Sequence, residues 1–293
     1  MAAVRRAAVV GHPVAHSLSP TLHTAAYEAL GLEGWQYSAI DTTVEQLSGV
    51  VRGLDLAWAG LSVTMPLKHA VMKLVDHVDP LAQVVGAVNT VLVAPARAGV
   101  SLTGTNTDVH GLVQAVREGL TERHGTRDVT VRDAVVLGGG ATAASTLAAL
   151  GELGCTAPLV LVRDLGRTGP LQEAAARMGV TPRYEVLDTA TAPDVLADAD
   201  VVVSTMPARA ADPVAASLRT RGTRVHGVLL DVVYDPRPTA VSQAWAATGG
   251  TVVGGERMLL HQAVEQVRLM TGRPGPVDAM DAALQRALGA PTG

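Results

Sequence analysis

Lysine is scarce in this chain: of its 23 Lys and Arg residues, only Lys68 and Lys73 are lysines. Arginine stays charged at any working pH, whereas a lysine can be tuned to give and take a proton. A lysine kept against an arginine-rich background is therefore a candidate for proton transfer. Lys73 falls on the polar face of a helix that the apolar spacing predicts over 67–75, which leaves the chemistry to Lys68. Lys68 closes the stretch Ser62-Val63-Thr64-Met65-Pro66-Leu67-Lys68, which also supplies two hydroxyls.

Three more stretches are dense in polar groups: Gly86-Ala87-Val88-Asn89-Thr90, Gly104-Thr105-Asn106-Thr107-Asp108 and Met258-Leu259-Leu260-His261-Gln262. Taken singly, Asn89 and Asn106 read as turn residues, Asp108 as a helix N-cap and Gln262 as a solvated helix position. Taken together they could hold a small, oxygen-rich ligand. The stretches ending at Lys68 and Asp108 and the one starting at Met258 read as strand-to-helix junctions or a helix start, where open α/β sheets bind ligands. The nine residues AHSLSPTLH add a further pair of hydroxyls. Ser19 is predicted to cap a helix whose first turn holds Pro20. Ser17 has no such structural use, and a second hydroxyl at the positive end of a helix suits a bound carboxylate.

A different chemistry is written in Val135-Val136-Leu137-Gly138-Gly139-Gly140-Ala141-Thr142-Ala143, which fits G-x-G-x-x-A. Gly138 would make a tight turn, Gly140 would let a pyrophosphate approach the backbone, and Ala143 would pack the helix closely. The motif follows an apolar strand, opens an alanine-rich helix and leads to another apolar strand, the context a dinucleotide site requires. Beyond that second strand stand Arg163, Asp164 and Arg167. A carboxylate there favours a free ribose hydroxyl and an arginine favours a 2′-phosphate; both signs are present.

The elements that must carry these residues alternate along the whole chain, as α/β architecture demands. Strands are predicted at 7–10, 35–40, 60–63, 88–93 and 100–103, with helices at 20–30, 44–54 and 67–75. A helix over 109–120 and a charged connection, TERHGTRDVTVRD, lead to a second set of strands at 158–162, 184–186, 200–204 and 228–232, following the glycine-turn strand. Helices over 258–271 and 277–288 close the chain. Two domains are expected, 1–108 with 255–293 and a doubly wound Rossmann domain over 109–254.

Composition narrows the partners. The 48% hydrophobic content and mean hydropathy of +0.26 indicate a well-buried globular protein. No apolar run approaches the roughly 18 residues of a membrane span, and the start reads as a first strand rather than a secretory signal. The single cysteine, Cys155, rules out an intramolecular disulfide and offers no metal cluster, so a cytoplasmic location and no metal are expected. A net charge of −4 gives no basic surface for nucleic acid.

The motifs, in order, resemble those of the shikimate dehydrogenase family. AHSLSP is similar to the family's HSxSP, SVTMPLK to NVTxPxK, GAVNT to GA(V/I)NT and GTNTD to GxNTD. After the glycine turn, Ser204-Thr205-Met206-Pro207 resembles N-A/T-T-P, Asp231-Val232-Val233-Tyr234 follows, and GGERMLLHQA resembles GxxMLxxQA. The resemblance implies an N-terminal α/β substrate domain completed by C-terminal helices, a Rossmann domain, and reversible NADPH-dependent reduction of 3-dehydroshikimate to shikimate. It implies that Ser17 and Ser19 bind the carboxylate, that Thr64, Asn89 and Gln262 hold ring hydroxyls, and that Lys68 and Asp108 meet the reacting hydroxyl. It further implies Tyr234 near the carboxylate and Met258 near the nicotinamide. Gly138, Gly140, Ala141, Ala143, Arg163, Asp164, Arg167, Ser204, Met206 and Gly255 would complete the cofactor site. Ser62 departs from the family's asparagine and would donate to a substrate hydroxyl with shorter reach. Asp164 stands where the family has the arginine that grips the 2′-phosphate, with Arg163 and Arg167 as substitutes; NADP is the family default, and NAD would fit the quinate/shikimate branch. A branch serving aminoshikimate metabolism shares the motifs. A catalytically inactive metabolite-binding paralogue would have no need of Lys68 with Asp108. The expected state is a monomer or homodimer.

Overall fold

The computed structural model describes residues 4–97 and 99–289. The chain divides into two compact units, Met1–Thr107 with Leu259–Gly293, and Asp108–Met258.

The first unit contains β1 (Arg5–Gly11), α1 (Ser19–Ala29), β2 (Trp35–Asp41), α2 (Val44–Arg52), β3 (Trp58–Val63), β4 (His77–Val78), α3 (Pro80–Val85), β5 (Thr90–Ala96) and β6 (Gly99–Thr105). They build a six-stranded sheet ordered β2-β1-β3-β5-β6-β4. The sheet is mixed: β1 runs parallel to β2 and β3, while β5 is antiparallel to β3 and β6. Side chains alternate across a strand, so Ala8, Val10, Leu61 and Val63 pack on one face with Leu47 and Val51 of α2. A second core joins Leu22 and Ala26 of α1 to Leu260, Ala263 and Val267 and to Met280 and Leu284. The latter belong to α10 (Gly255–Thr271) and α11 (Val277–Gly289) at the end of the chain.

Two expectations fail here. The helix predicted over 67–75 is only a 3₁₀ turn at Val71–Lys73, so Lys73 lies on no helix face and Lys68 follows a strand without entering a helix. The apolar spacing is real, since Leu67 and Val71 are fully buried. However, the Lys68 carbonyl accepts from Val88 N–H at 2.9 Å, which diverts it from a helical partner, and the chain turns off to form the edge strand β4. Nor does Ser19 cap α1: Leu18 occupies the cap position without a side-chain bond, and Ser19 is the first helical residue. Ser17 Oγ instead accepts from Ser19 N–H at 3.3 Å.

The second unit starts with α4 (Asp108–His124) and continues with β7 (Ala134–Leu137), α5 (Ala141–Glu152), β8 (Leu159–Val162), α6 (Gly169–Met178), β9 (Arg183–Val186), α7 (Ala192–Ala197), β10 (Val201–Ser204), α8 (Asp212–Arg221), β11 (Val228–Asp231), α9 (Ala240–Ala247) and β12 (Thr251–Gly254). All six strands are parallel, in the order β12-β11-β10-β7-β8-β9. That is the doubly wound dinucleotide order, with its switch point between β7 and β10. β7, β8, β10 and β11 are buried along their whole length, as strands covered on both faces must be. Among the described residues no helix is long and apolar enough to cross a membrane.

Candidate functional site

Within the first unit, residues from every motif converge on the side of the sheet that α1 and α10 cover. Asn89 is 2% exposed and anchors them. Its Oδ1 accepts from Thr107 N–H at 2.8 Å and from Thr90 Oγ1 at 2.9 Å. Its Nδ2 donates to Thr107 Oγ1 at 2.9 Å and, more weakly, to Gln262 Oε1 at 3.5 Å. Asn106 is also buried and donates to the Ala87 carbonyl at 2.9 Å. Neither asparagine is a surface turn residue, and Gln262 is buried rather than solvated. Leaving such groups unpaired would cost about 1–3 kcal/mol each.

Ser62 is 4% exposed, points into the same layer from β3 and is met there by Tyr37, whose hydroxyl donates to it at 2.6 Å. Ser62 Oγ donates in turn to Gln266 Oε1 at 2.7 Å. Ser19, also buried, hydrogen-bonds the Tyr37 hydroxyl. His23 stacks on Tyr37 with ring centroids 3.9 Å apart and reaches Gln266 Oε1 through Nε2 at 3.3 Å. Burial holds the His23 imidazole neutral, its pKa lowered to about 3, and pushes the Tyr37 phenol well above its usual range.

Thr64 and Lys68 are half-buried on the turn that follows β3. That turn lies against the end of β1: a Cβ on Gly11 would sit 2.3 Å from Thr64 Cγ2 and 2.9 Å from the Met65 carbonyl oxygen. Only glycine permits the approach. Thr64 N–H donates to the Val10 carbonyl, and His12 N–H to that of Met65. Asp108 and Tyr234 belong to the other unit, where Asp108 opens α4 and is 4% exposed.

In the second unit the predicted nucleotide residues stand at the carboxyl ends of parallel strands. Gly138 follows β7 with φ +107, and a Cβ there would fall 2.7 Å from Thr205 Oγ1. Gly140 caps α5 without a side-chain bond and has nothing within 4 Å of a Cβ position; its carbonyl takes Ala143 N–H at 3.0 Å, with Ala141 next and Ala143 fully buried. A turn so bare and so positioned fits a pyrophosphate. Arg163, Asp164 and Arg167 are exposed beyond β8; Asp164 Oδ1 accepts from Gly166 N–H at 2.9 Å and starts the 3₁₀ turn Leu165–Arg167. Ser204 and Met206 are buried at and just after the end of β10, while Gly255 and Met258 lie in the first turn of α10. Asp231 ends β11 beside Ser204 and accepts from Thr239 Oγ1 at 2.7 Å and Val233 N–H at 3.4 Å, which ties both ends of the loop carrying Tyr234. Burial, aided by the charge of Asp235, raises the Tyr234 phenol, so it remains a neutral hydrogen-bonding group.

Sequence reasoning missed Tyr37, His23 and Gln266 altogether. A signal existed for Gln266, which lies one helical turn after Gln262 and so shares its buried face. None existed for Tyr37.

A parallel Rossmann unit, in one chain with a second α/β unit bearing a hydroxyl- and amide-rich cluster, defines a two-unit nucleotide-linked oxidoreductase. The family model for the shikimate dehydrogenase substrate binding domain matches residues 9–91, and that for the shikimate 5'-dehydrogenase C-terminal domain matches 255–285. Shikimate dehydrogenase (NADP(+)) of Rubrobacter xylanophilus is 39% identical over 280 residues, 94% of either chain. The solved shikimate dehydrogenase of Mycobacterium tuberculosis has 39% identity and a TM-score of 0.84, covering 96% of this chain and 99% of that one. The shikimate 5-dehydrogenase of Thermus thermophilus, solved with NADP(H) and shikimate, has 32% identity and a TM-score of 0.78 over 97% and 100%. The chain belongs to the shikimate dehydrogenase family.

Proposed function

We propose that this chain is an NADP-dependent shikimate dehydrogenase, which reversibly reduces 3-dehydroshikimate to shikimate on the route to the aromatic amino acids. Family membership over almost the whole chain supports the reaction. The observation that carries the site is the buried set Asn89, Thr90, Thr107 and Gln262, hydrogen-bonded to one another on the unit that also holds Lys68. Such a set suits a polyhydroxylated ring.

In this reading Ser17 and Ser19 take the carboxylate, and Ser62, Thr64, Asn89 and Gln262 take ring hydroxyls. Tyr234 adds a neutral phenol. Lys68 Nζ accepts the proton of the reacting hydroxyl in oxidation and returns it to the carbonyl oxygen in reduction, with Asp108 orienting that exchange. The dinucleotide supplies and removes the hydride when bound. Gly138, Gly140, Ala141 and Ala143 receive its pyrophosphate. Ser204, Met206, Gly255 and Met258 flank its nicotinamide half. Arg163 and Arg167 provide positive charge for a 2′-phosphate. The Asp164 carboxylate is partly engaged by its own turn, which lessens its opposition to that phosphate.

The test is a set of initial rates with shikimate and with quinate, each with NADP⁺ and NAD⁺. Turnover confined to shikimate and NADP⁺ is expected, and Asp164→Asn should change the NADP⁺/NAD⁺ ratio by only a few-fold. A preference for NAD⁺, or equal rates with quinate, would make it a quinate/shikimate enzyme. No turnover with any pair overturns the reading.

A further inference from the structure

The hydrogen-bond network under Ser62 has a direction, and two backbone groups set it. The Asn89 carbonyl can only accept, so the Gln266 group 3.3 Å away must be its NH₂. That NH₂ also donates to Thr90 Oγ1 at 2.9 Å. Gln266 Oε1 therefore faces Ser62 and His23, and an amide oxygen can only accept. Ser62 must spend its one proton on Gln266 at 2.7 Å, and His23 must carry its proton on Nε2. Tyr37 must then donate to Ser62, which leaves Ser19 to donate to Tyr37. At the other end, Thr107 N–H can only donate, which fixes the amide of Asn89 in the same way. Every proton in the layer is assigned without reference to a ligand.

We propose that Gln266 and Tyr37 are positioning residues that fix the polarity of Ser62, so that Ser62 offers substrate a single lone pair and no proton. This rests on the reading of Ser62 as a substrate contact. It reverses the expectation that Ser62 donates to a ring hydroxyl. A hydroxyl has one donor and two acceptor sites; the donor goes to Gln266 and one acceptor site goes to Tyr37. The group that meets Ser62 must be a hydrogen-bond donor. A ketone is not one, so this cannot be the reacting carbon's oxygen. It is a hydroxyl that persists in both the oxidised and the reduced substrate. An asparagine at this position would carry its own donor and its own acceptor, and would need no such relay. Here the serine's direction is set by Tyr37 and Gln266, which are contributed by β2 and α10. Leaving a buried polar group unpaired is costly, so reversing any one of these bonds is disfavoured.

The proposal is tested by a double-mutant cycle on shikimate binding. Kd for shikimate is measured for the wild type, Ser62→Ala, Gln266→Met and the double variant. Each single change should weaken binding about fivefold to tenfold, the value of one hydrogen bond. The double should lose clearly less than the sum of the two singles, because Gln266 acts in part through Ser62 and in part through Asn89 and Thr90. KM for NADP⁺ should not move, and Ser62→Ala should raise KM for shikimate and for 3-dehydroshikimate by the same factor. Tyr37→Phe, which keeps the stack on His23, gives a second cycle with Ser62→Ala should Gln266→Met fail to fold. Additive losses, a Gln266 or Tyr37 effect that spreads to NADP⁺, or a Ser62 effect confined to one of the two substrates would each overturn the proposal. So would an unchanged Kd in Ser62→Ala. A wild type that binds no shikimate at all instead sinks the underlying functional reading.

Discussion

The two candidate sites are built from opposite materials. In the first unit the cluster is made of side chains, closed off from water, and its partners are far apart in sequence: Gln266 lies 204 residues from Ser62 and 243 from His23. In the second unit the nucleotide loops are open and their shape comes from backbone. The turn at Gly138 depends on the absence of a side chain, and Asp164 bonds its own loop two residues on. A site of directed side-chain protons can tell one hydroxylated ring from another. A site of backbone N–H groups reads only a phosphate, which many proteins share. Discrimination and generic grip are thus divided between the two units.

That division is sharpened most by Lys68→Ala. The kcat should fall by about 10²–10⁴, the range expected when a proton-transfer group is lost, with shikimate Kd changed much less. Steady-state rates beside a binding titration would show this, and an intact kcat would remove Lys68 from the chemistry. Acid should separate the regions next. His23 is held at a pKa of about 3 in the fold against an ordinary 6.5, chiefly by desolvation. Below pH 6.5 the unfolded chain takes up a proton that the folded chain refuses, so stability falls with falling pH until the folded value is passed. The slope attributable to this one group is at most about 1.4 kcal/mol per pH unit. Denaturant midpoints between pH 7 and pH 4.5 should therefore decline less steeply in His23→Gln than in the wild type; parallel lines would show that His23 is not buried neutral. The smallest effects are a matched pair. Gly138→Ala should raise KM for NADP⁺ by roughly tenfold and leave shikimate binding alone, from the strain of a side chain at positive φ. Gly11→Ala, by displacing Thr64, should do the reverse. If either variant harms both ligands equally, the division does not hold.

Much of the second unit was legible because its signals are local. A strand, a glycine turn and an alanine-rich helix lie within about twenty residues, and short apolar runs mark the buried parallel strands. The first unit was harder. The apolar spacing over 67–75 is a genuine core pattern, but a carbonyl borrowed by Val88 stops the helix, and that bond joins residues far apart in sequence. α3 was overlooked although Asp79 caps it and Gly86 ends it in the left-handed conformation. β4 has only two residues, too few to show a period, and β12 runs directly into α10 with no turn to mark its end. Of the site itself, the motifs pointed to Ser62, Asn89 and Gln262 by resemblance. What they bond to was not legible, because Tyr37 and His23 sit in ordinary amphipathic surroundings, and only the packing of α10 on the sheet brings Gln266 to them.

The discontinuity of the first unit has a consequence for the order in which the protein is made. Residues Asp108–Met258 are continuous, so the nucleotide unit is complete before synthesis ends. The first unit emerges earlier but lacks α10 and α11, and with them Leu260, Ala263, Val267 and Gln266, until residues 259–289 have left the ribosome. The earlier-made half is therefore the later to close, and a chain stopped at Met258 should be cut readily by protease within 4–97 while 108–258 resists. Equal resistance of both segments would show that the sheet of the first unit closes without its C-terminal helices. If it does not, His23, Tyr37 and Ser62 spend most of the time on the ribosome as an open, half-satisfied layer awaiting a single glutamine.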